Sequence, residues 1–344
     1  VFFSSQKWYC CVLAGAMSPC SQLGNKLLLL FVTVAPIVSF YGLVSTCLSS
    51  EELQLDTFQK DVCSTFLNYP LVFLNILFFV HVDVLFWIIS LLQNSTWLID
   101  PYWTIAPPLM VMYFRAHPMA SFDATRSLVS IVLTMVWSLR LTHSYFRREG
   151  WAFGSREDWR FSDMRKKYGR QWWWASFFLA YLSQHLMLVG LVLPVYTVHF
   201  GPSASTPWSH TEVLVVVLCL AGIICAYHAD TTLHEFVIAN ARRKEEGKPK
   251  VLLLCSGLWK YSRHPNYFGE QLWWWALFLF SIPCGRNWSM VGPLFNSATM
   301  VAVTNLTEEK MVQDSSRKLQ YQSYQKATSI WIPWFPKKEH TKNY

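Results

Sequence analysis

Charge is what this sequence has least of. Asp, Glu, Lys and Arg make up 15% of its 344 residues, against about 25% in a soluble domain. A soluble surface needs charge to stay wet, so a soluble enzyme, a disordered chain and a coiled coil are excluded. Cysteine is present without a pattern: none of the nine forms a CxxC pair. Neither a zinc framework nor a disulfide scaffold is expected, and cysteines beside apolar runs read as small hydrophobes. No strict apolar–polar alternation marks a β-barrel. Internal repeats, low-complexity linkers and lipidation motifs are also missing. The apolar stretch at 9–17 has no basic start and is too short for a signal peptide. The chain starts at Val1 rather than Met and reads as a fragment or a processed form.

Apolar and aromatic residues fill the remainder. Hydrophobic residues are 53% of the chain, with 18 Trp, 24 Phe and 15 Tyr, and the mean hydropathy is +0.23. Trp and Tyr concentrate where a membrane meets water. Long apolar runs give expected spans at about 27–49, 67–92, 97–114, 127–142, 173–198, 212–233, 267–283 and 288–305. The third carries Asp100, Pro101 and Pro107-Pro108 and is expected to be short or broken. The fold class is therefore all-α: a membrane bundle of about seven to eight transmembrane helices embedded in a lipid bilayer.

Loop charge orients it. Residues 140–170 hold nine Lys and Arg, residues 242–263 hold seven, and the tail after 305 holds seven more. These stretches follow the fourth, sixth and eighth spans, so alternation places all three on one face, which the positive-inside rule makes cytosolic. Both termini are then cytosolic. The acidic 50–65 and the Lys- and Arg-free 199–211 fall on the other side. The sequons at Asn94, Asn287 and Asn305 lie on the cytosolic side or against the bilayer and are expected to be unglycosylated. The net charge of +8 is this orientation charge; no nucleic-acid module accompanies it. Arg165-Lys166-Lys167 reads the same way, and the triplets 172–174 and 273–275 of Trp read as interfacial anchors, with one of 273–275 alternatively lining a cavity.

Ionisable groups inside spans are costly and mark function. His81 and Asp83 stand in the second span, with an interhelical hydrogen-bond pair as the plain reading. Asp100 and Tyr102 open the third, where Asp100 also suits a helix cap before Pro101. Tyr227-His228-Ala229-Asp230-Thr231-Thr232-Leu233-His234-Glu235 closes the sixth and leads into Arg242-Arg243-Lys244. The spacing of His228, Asp230 and His234 does not put all three on one helical face, so no metal is expected. The densest signal is Ser256 to Glu270, SGLWKYSRHPNYFGE, at the mouth of the seventh span. Arg263 offers a planar fork for phosphate, Pro265 sets a turn, and Asn266 and Glu270 can pair with amide or ribose groups. Trp259 and Tyr267 offer stacking faces, and Gly269 permits close approach of a backbone or ligand. A basic juxtamembrane turn gripping lipid headgroups is the alternative.

GLWKYSRHPNYFGEQLWWW, the preceding HADTTLHEF, the arginine-rich stretch 140–170 and the closing SIWIPWF resemble the steroid 5-alpha-reductase C-terminal-domain family. The resemblance is closest to the membrane proteins grouped as domain of unknown function 1295. It runs from about Asn94 to Phe335 and implies a domain at 66–344, with a cofactor site within 225–335, behind a divergent region at 1–65 that carries the first transmembrane helix. It also implies an integral membrane protein of the endoplasmic reticulum that uses NADPH to reduce a carbon–carbon double bond of a steroid, sterol or other lipid enone. The family's cofactor-binding Asn-Tyr falls on Asn266 and Tyr267, its Gly-Glu on Gly269 and Glu270, and the acidic residue of its Asp-x-x-Leu motif on Asp230. His234 and Val237 stand where the family pattern has basic residues. Arg242, Arg243 or Arg263 is then expected to supply the phosphate contact, with Trp259, His234 and His264 completing the set; a cation near the ribose favours NADPH over NADH. In this family a Tyr and an acidic residue hold the substrate carbonyl as enolate charge develops. By role those are Tyr102 and Asp100, with His81 and Asp83 behind them.

Two other readings remain open. Isoprenylcysteine carboxyl methyltransferases share the Arg-His-Pro-x-Tyr-x-Gly shape, bind S-adenosylmethionine there, and carry a Glu-Glu pair matched in place by Glu308-Glu309. A non-catalytic sterol- or lipid-binding protein is the third. The hydrophobic substrate's identity and the oligomeric state are not readable.

Overall fold

A computed structural model describes residues 19–49, 55–285 and 287–337. Among the described residues the chain is helical, with no strand beyond an isolated parallel bridge between Ser262 and Ser329. Five helices are long and apolar enough to cross a membrane: Ser21–Leu48, Pro70–Gln93, Ala124–Arg148, Trp159–Phe200 and His210–Glu245. The protein is thus an integral, multi-pass membrane protein. The chain divides into two compact units. One, the N-terminal unit, comprises Met17–Trp208 with Phe280–Gly292; the other, the C-terminal unit, comprises Ser209–Leu279 with Pro293–Tyr344, and also Val1–Ala16, which lie outside the described residues.

The N-terminal unit holds α1 (Pro19–Leu48), α2 (Thr57–Asn68), α3 (Pro70–Gln93), α4 (Ile99–Ala116), α5 (Ala124–Arg148), α6 (Trp159–Tyr168) and α7 (172–200). Asp56 starts α2 with a capping box, its carboxylate accepting from Gln59 N while the Gln59 side chain accepts from Asp56 N. Cys47 at the end of α1 and Cys63 on α2 form a disulfide. No disulfide is expected from the cysteine spacing, and this pair, 16 residues apart in sequence, corrects that expectation.

α4 is short, as expected, but it is not broken. Pro108 removes the donor that would bond the Thr104 carbonyl. Ser138 of α5 replaces it, donating to Thr104 O at 2.6 Å, while Thr142 Oγ1 donates to Thr104 Oγ1 at 2.7 Å. A neighbouring helix thus satisfies the freed group, and the helix runs through both prolines. The basic stretch after α5 is more than orientation charge. Arg148 and Arg156 pair with Glu149, Arg160 grips Asp158, and Arg165 bonds Glu157 and the Asn94 carbonyl. Glu157 also accepts from Thr96, so this network fastens the α3–α4 turn. Two π-helical stretches, Phe79–Val84 in α3 and Phe177–Leu182 in α7, pack on each other.

The C-terminal unit holds α8 (His210–Glu245), most of α9 (Pro265–Ser281), most of α10 (Val291–Gln313) and α11 (Lys318–Ala327). α8 continues well beyond its apolar part, so the Tyr227–Glu235 row lies inside a helix rather than at its end. The Trp triplets behave differently from one another. Trp173 and Trp174 are exposed, as anchors would be, but Trp273 and Trp274 are buried. The anchor reading fails for that pair because α9 turns them inward. A Cβ on Gly269 would lie 2.6 Å from Ala226 N and 2.7 Å from Gly222 O. Gly222, Ala226 and Gly269 therefore let α8 and α9 touch backbone to backbone, the small-residue packing that membrane helices favour. Gly269→Ala should force the helices apart and cost about 1–3 kcal/mol. Thermal unfolding in detergent checks this; an unchanged Tm would contradict the contact.

Candidate cofactor site

The conspicuous turn Ser256–Glu270 is built by its own tail. Gly257–Lys260 is a 3-10 turn, and Pro265 opens α9, where its missing donor costs nothing. The backbone between them is held by residues more than 60 positions later. Arg263 N donates to Ser329 O at 2.9 Å and His264 N to Ile330 O at 3.0 Å. Ser262 Oγ donates to Ile330 O, Ser329 Oγ donates to Tyr261 O, and Trp334 N donates to Tyr261 O. The Tyr324 hydroxyl donates to the carbonyls of Trp259 and Ser262.

At the centre stands Arg263. Its Nε and Nη2 donate to the two Glu308 oxygens at 2.8 and 3.2 Å, and its Nη1 donates to the carbonyls of Gln325 and Thr328 at 2.6 and 3.2 Å. The guanidinium thereby joins the turn, α10 and α11. The fork read from sequence as a phosphate binder is engaged within the protein. Burial favours the neutral imidazole of His264 and pushes its pKa below the ordinary 6.5, despite the Glu308 carboxylate at 3.1 Å. His264 therefore donates Nε2–H to Glu308 and stacks on Tyr267 with ring centroids 4.9 Å apart. Burial alone would raise the Glu308 pKa. Hydrogen bonds from His264 and Gln325 and the Arg263 charge outweigh it and hold the carboxyl below its ordinary value.

Beside this clamp lies a small cavity, partly open to solvent. Trp259, Arg263, His264, Asn266 and Tyr267 line it, together with Leu233 and Phe236 of α8 and Leu252–Leu254 of the loop. Five of the residues singled out from sequence thus converge on one wall. Asp230 stands behind it: its carboxylate accepts from Asn266 Nδ2 at 3.1 Å. This turns the Asn266 side-chain oxygen the other way, and that oxygen is buried without a hydrogen-bond partner among the described residues. The Trp259 indole N–H is anchored on Ala229 O.

Besides Asp230, five expected residues do not line the cavity. His234 and Glu270 are half-buried on α8 and α9, Gly269 serves the helix contact, and Arg242 is exposed, while Arg243 is turned back onto the Pro249 carbonyl. The structure adds Thr307, Met311, Arg317, Tyr321 and Tyr324. Arg317 is a cation with an 11% exposed side chain, paired to Asp314 at 3.0 Å. Arg317, the N-cap of α11, and Tyr321 and Tyr324 within it follow one another at helical spacing, a signal hidden in a tail that reads simply as basic. Tyr102 and Asp100 belong to the N-terminal unit. Tyr102 is fully buried against Phe86, and Asp100 lies within electrostatic reach of Asp158, Arg148 and Arg160.

The clamp sets an acid limit on stability. The folded protein disfavours a proton on His264 and on Glu308, so the unfolded chain binds more protons as pH falls. Stability should drop below the ordinary His value of 6.5, and again below the ordinary Glu value of 4.5. His264→Gln should remove the upper step in a Tm-against-pH titration, and a wild-type Tm that rises on acidification would contradict this. Glu308→Gln leaves a buried guanidinium half-paired and should cost about 3 kcal/mol.

The family model described as "Protein of unknown function (DUF1295)" matches residues 86–328. An uncharacterised protein of Schizosaccharomyces pombe is 26% identical over 244 residues, covering 65% of this chain and 69% of that protein. No solved structure matches the chain significantly. With more than two thirds of its length matched, from Phe86 in α3 to Thr328 at the end of α11, the chain belongs to the DUF1295 family.

Proposed function

We propose that the C-terminal cavity binds NADPH and that the protein is a membrane reductase of a carbon–carbon double bond in a steroid, sterol or other lipid enone. The observation that carries this reading is the Asn266 oxygen. A buried amide oxygen without a partner is expensive, and here it belongs to a residue of the cavity wall. Its position suits an acceptor for an amide N–H, which a nicotinamide carries. Asp230 fixes the rotamer, Tyr267 and Trp259 offer aromatic faces, and Arg317 supplies a cation for an anionic group. When bound, NADPH would supply the hydride. The residues of this wall would bind and orient it, and Arg263 would position the turn that carries Asn266.

The Glu308 carboxylate, half of the pair that the methyltransferase reading offers, is held by Arg263, His264 and Gln325. Titration of the purified protein with NADPH, NADH and S-adenosylmethionine, followed by Trp fluorescence, separates the readings. NADPH should bind at least about tenfold tighter than NADH, and Asn266→Ala should weaken NADPH about tenfold or more. Binding of S-adenosylmethionine in place of NADPH would overturn the reading. Silence from all three would leave a lipid-binding protein.

The topology proposed with it has eight spans, α1, α3, α4, α5, α7, α8, α9 and α10, with both termini cytosolic in the endoplasmic reticulum. The disulfide supports this orientation, since Cys47 and Cys63 fall on the side opposite the basic loops, and disulfides persist in oxidising compartments. In intact microsomes Cys47 and Cys63 should resist a maleimide until a reductant is added. Labelling without reductant would contradict the assignment.

A further inference from the structure

The tail beyond α11 turns back onto α10. Trp331 Nε1 donates to Thr304 Oγ1 at 3.0 Å, and the indole packs on Tyr267 of α9 and on Met300 and Val303 of α10. Thr304 closes the apolar stretch 288–305, which the topology proposed above places in the bilayer. Val301 and Leu306, on either side of it, are exposed apolar side chains. Trp331 therefore stands at the level where α10 leaves the hydrocarbon.

The residues that follow Trp331 are fixed in place yet left open. Ile332, Trp334 and Phe335 are 67%, 70% and 78% exposed. Their backbone is held: Trp334 N donates to Tyr261 O at 2.9 Å and Lys337 N to Ala327 O at 3.0 Å. The Phe335 ring packs edge-on against Tyr261, with centroids 6.0 Å apart. Cations rim this aromatic platform. Lys260 Nζ lies 5.9 Å from the centroid of the same Tyr261 ring. Lys326 and Lys337 are exposed where the tail meets Ala327. No anion answers them in the surrounding sequence, which has no Asp or Glu between Glu246 and Glu270 or between Asp314 and Glu339. Glu308, one turn beyond Thr304, is already taken by Arg263, His264 and Gln325. Exposed aromatic rings at the edge of a bilayer, with lysine heads around them, match a headgroup layer of negative charge.

We infer that Ile332, Trp334 and Phe335, with Lys260, Lys326 and Lys337, form a binding surface for an anionic phospholipid of the adjacent leaflet. The rings and Ile332 enter the boundary between acyl chains and headgroups. The three ammonium groups meet the headgroup anions, their stems lying along the apolar surface. A zwitterionic headgroup offers the same phosphate but brings its own cation, so net charge decides between lipids. The occupant is the bilayer rather than a protein because Trp331 fixes the platform at the bilayer's edge. This surface uses the span assigned to α10 and none of the proposed cofactor contacts, so it stands whether or not NADPH binds.

The test places the full chain in phosphatidylcholine nanodiscs carrying equal traces of photoactivatable phosphatidylserine or phosphatidylcholine, and maps the labelled peptides by mass spectrometry. The phosphatidylserine probe should label the segment 330–337 at least about fivefold more than the phosphatidylcholine probe. Lys260→Gln, Lys326→Gln and Lys337→Gln together should bring the two probes to parity there, with labelling of α1 and the Tm in phosphatidylcholine unchanged. Trp334→Ser with Phe335→Ser should lower labelling of the tail by both probes severalfold. NADPH titration of the same nanodiscs reads the cofactor site separately. Equal labelling of the wild-type tail by the two probes, or a phosphatidylserine preference that survives the lysine variant, would overturn the inference while leaving the topology intact. A tail silent to both probes would lift it out of the bilayer's edge, give the platform to a protein partner, and overturn the inference together with the level assigned to α10.

Discussion

A guanidinium inside an apolar protein must be met on every side, and the C-terminal unit is organised around meeting one. Arg263 reaches Glu308 on α10 and the carbonyls of Gln325 and Thr328 at the end of α11. Each partner is far from it in sequence. The turn that carries Asn266 is thereby held to α10, α11 and the tail at once. Removing the charge would release the tail segment that accepts from Arg263 N and His264 N, and the cavity wall would go with it. The same low dielectric that makes an unpaired charge costly makes the completed cluster rigid. Asn266 inherits that rigidity, with Asp230 fixing which way its amide faces.

Much of the membrane architecture was legible because a bilayer leaves few choices. Apolar runs about as long as the hydrocarbon is thick become helices: every expected span overlaps a helix, and five of these helices are long and apolar enough to cross a membrane. The departures each have a local cause. Pro107 and Pro108 looked like a break, but Ser138 supplies the missing donor from α5. Trp273 and Trp274 looked like anchors, but helix rotation, which composition does not encode, buries them. Cys47 and Cys63 meet only once α1 and α2 are folded back on each other.

The site was legible where chemistry is concentrated in sequence and opaque where it is dispersed. Trp259, Arg263, His264, Asn266 and Tyr267 lie within nine residues and share one cavity wall. Their roles were harder to read than their proximity: Arg263 is a tether, and Gly269 is a helix contact. Arg317, Tyr321 and Tyr324 lie some 50 residues on, in a tail whose basic charge masked its helical spacing. Asp83 was visible as an oddity, but its partner His185 is 102 residues away, and only the packing of two π-helical stretches joins them.

The central claim is that the Asn266 wall presents a hydride donor to a lipid. The most direct test incubates the protein in membranes with NADPH tritiated at the nicotinamide C4, each face labelled in turn, and counts tritium in the lipid extract. Transfer from one face, abolished in Asn266→Ala, is the predicted result. Tight NADPH binding with no tritium in any lipid, from either face, would contradict it.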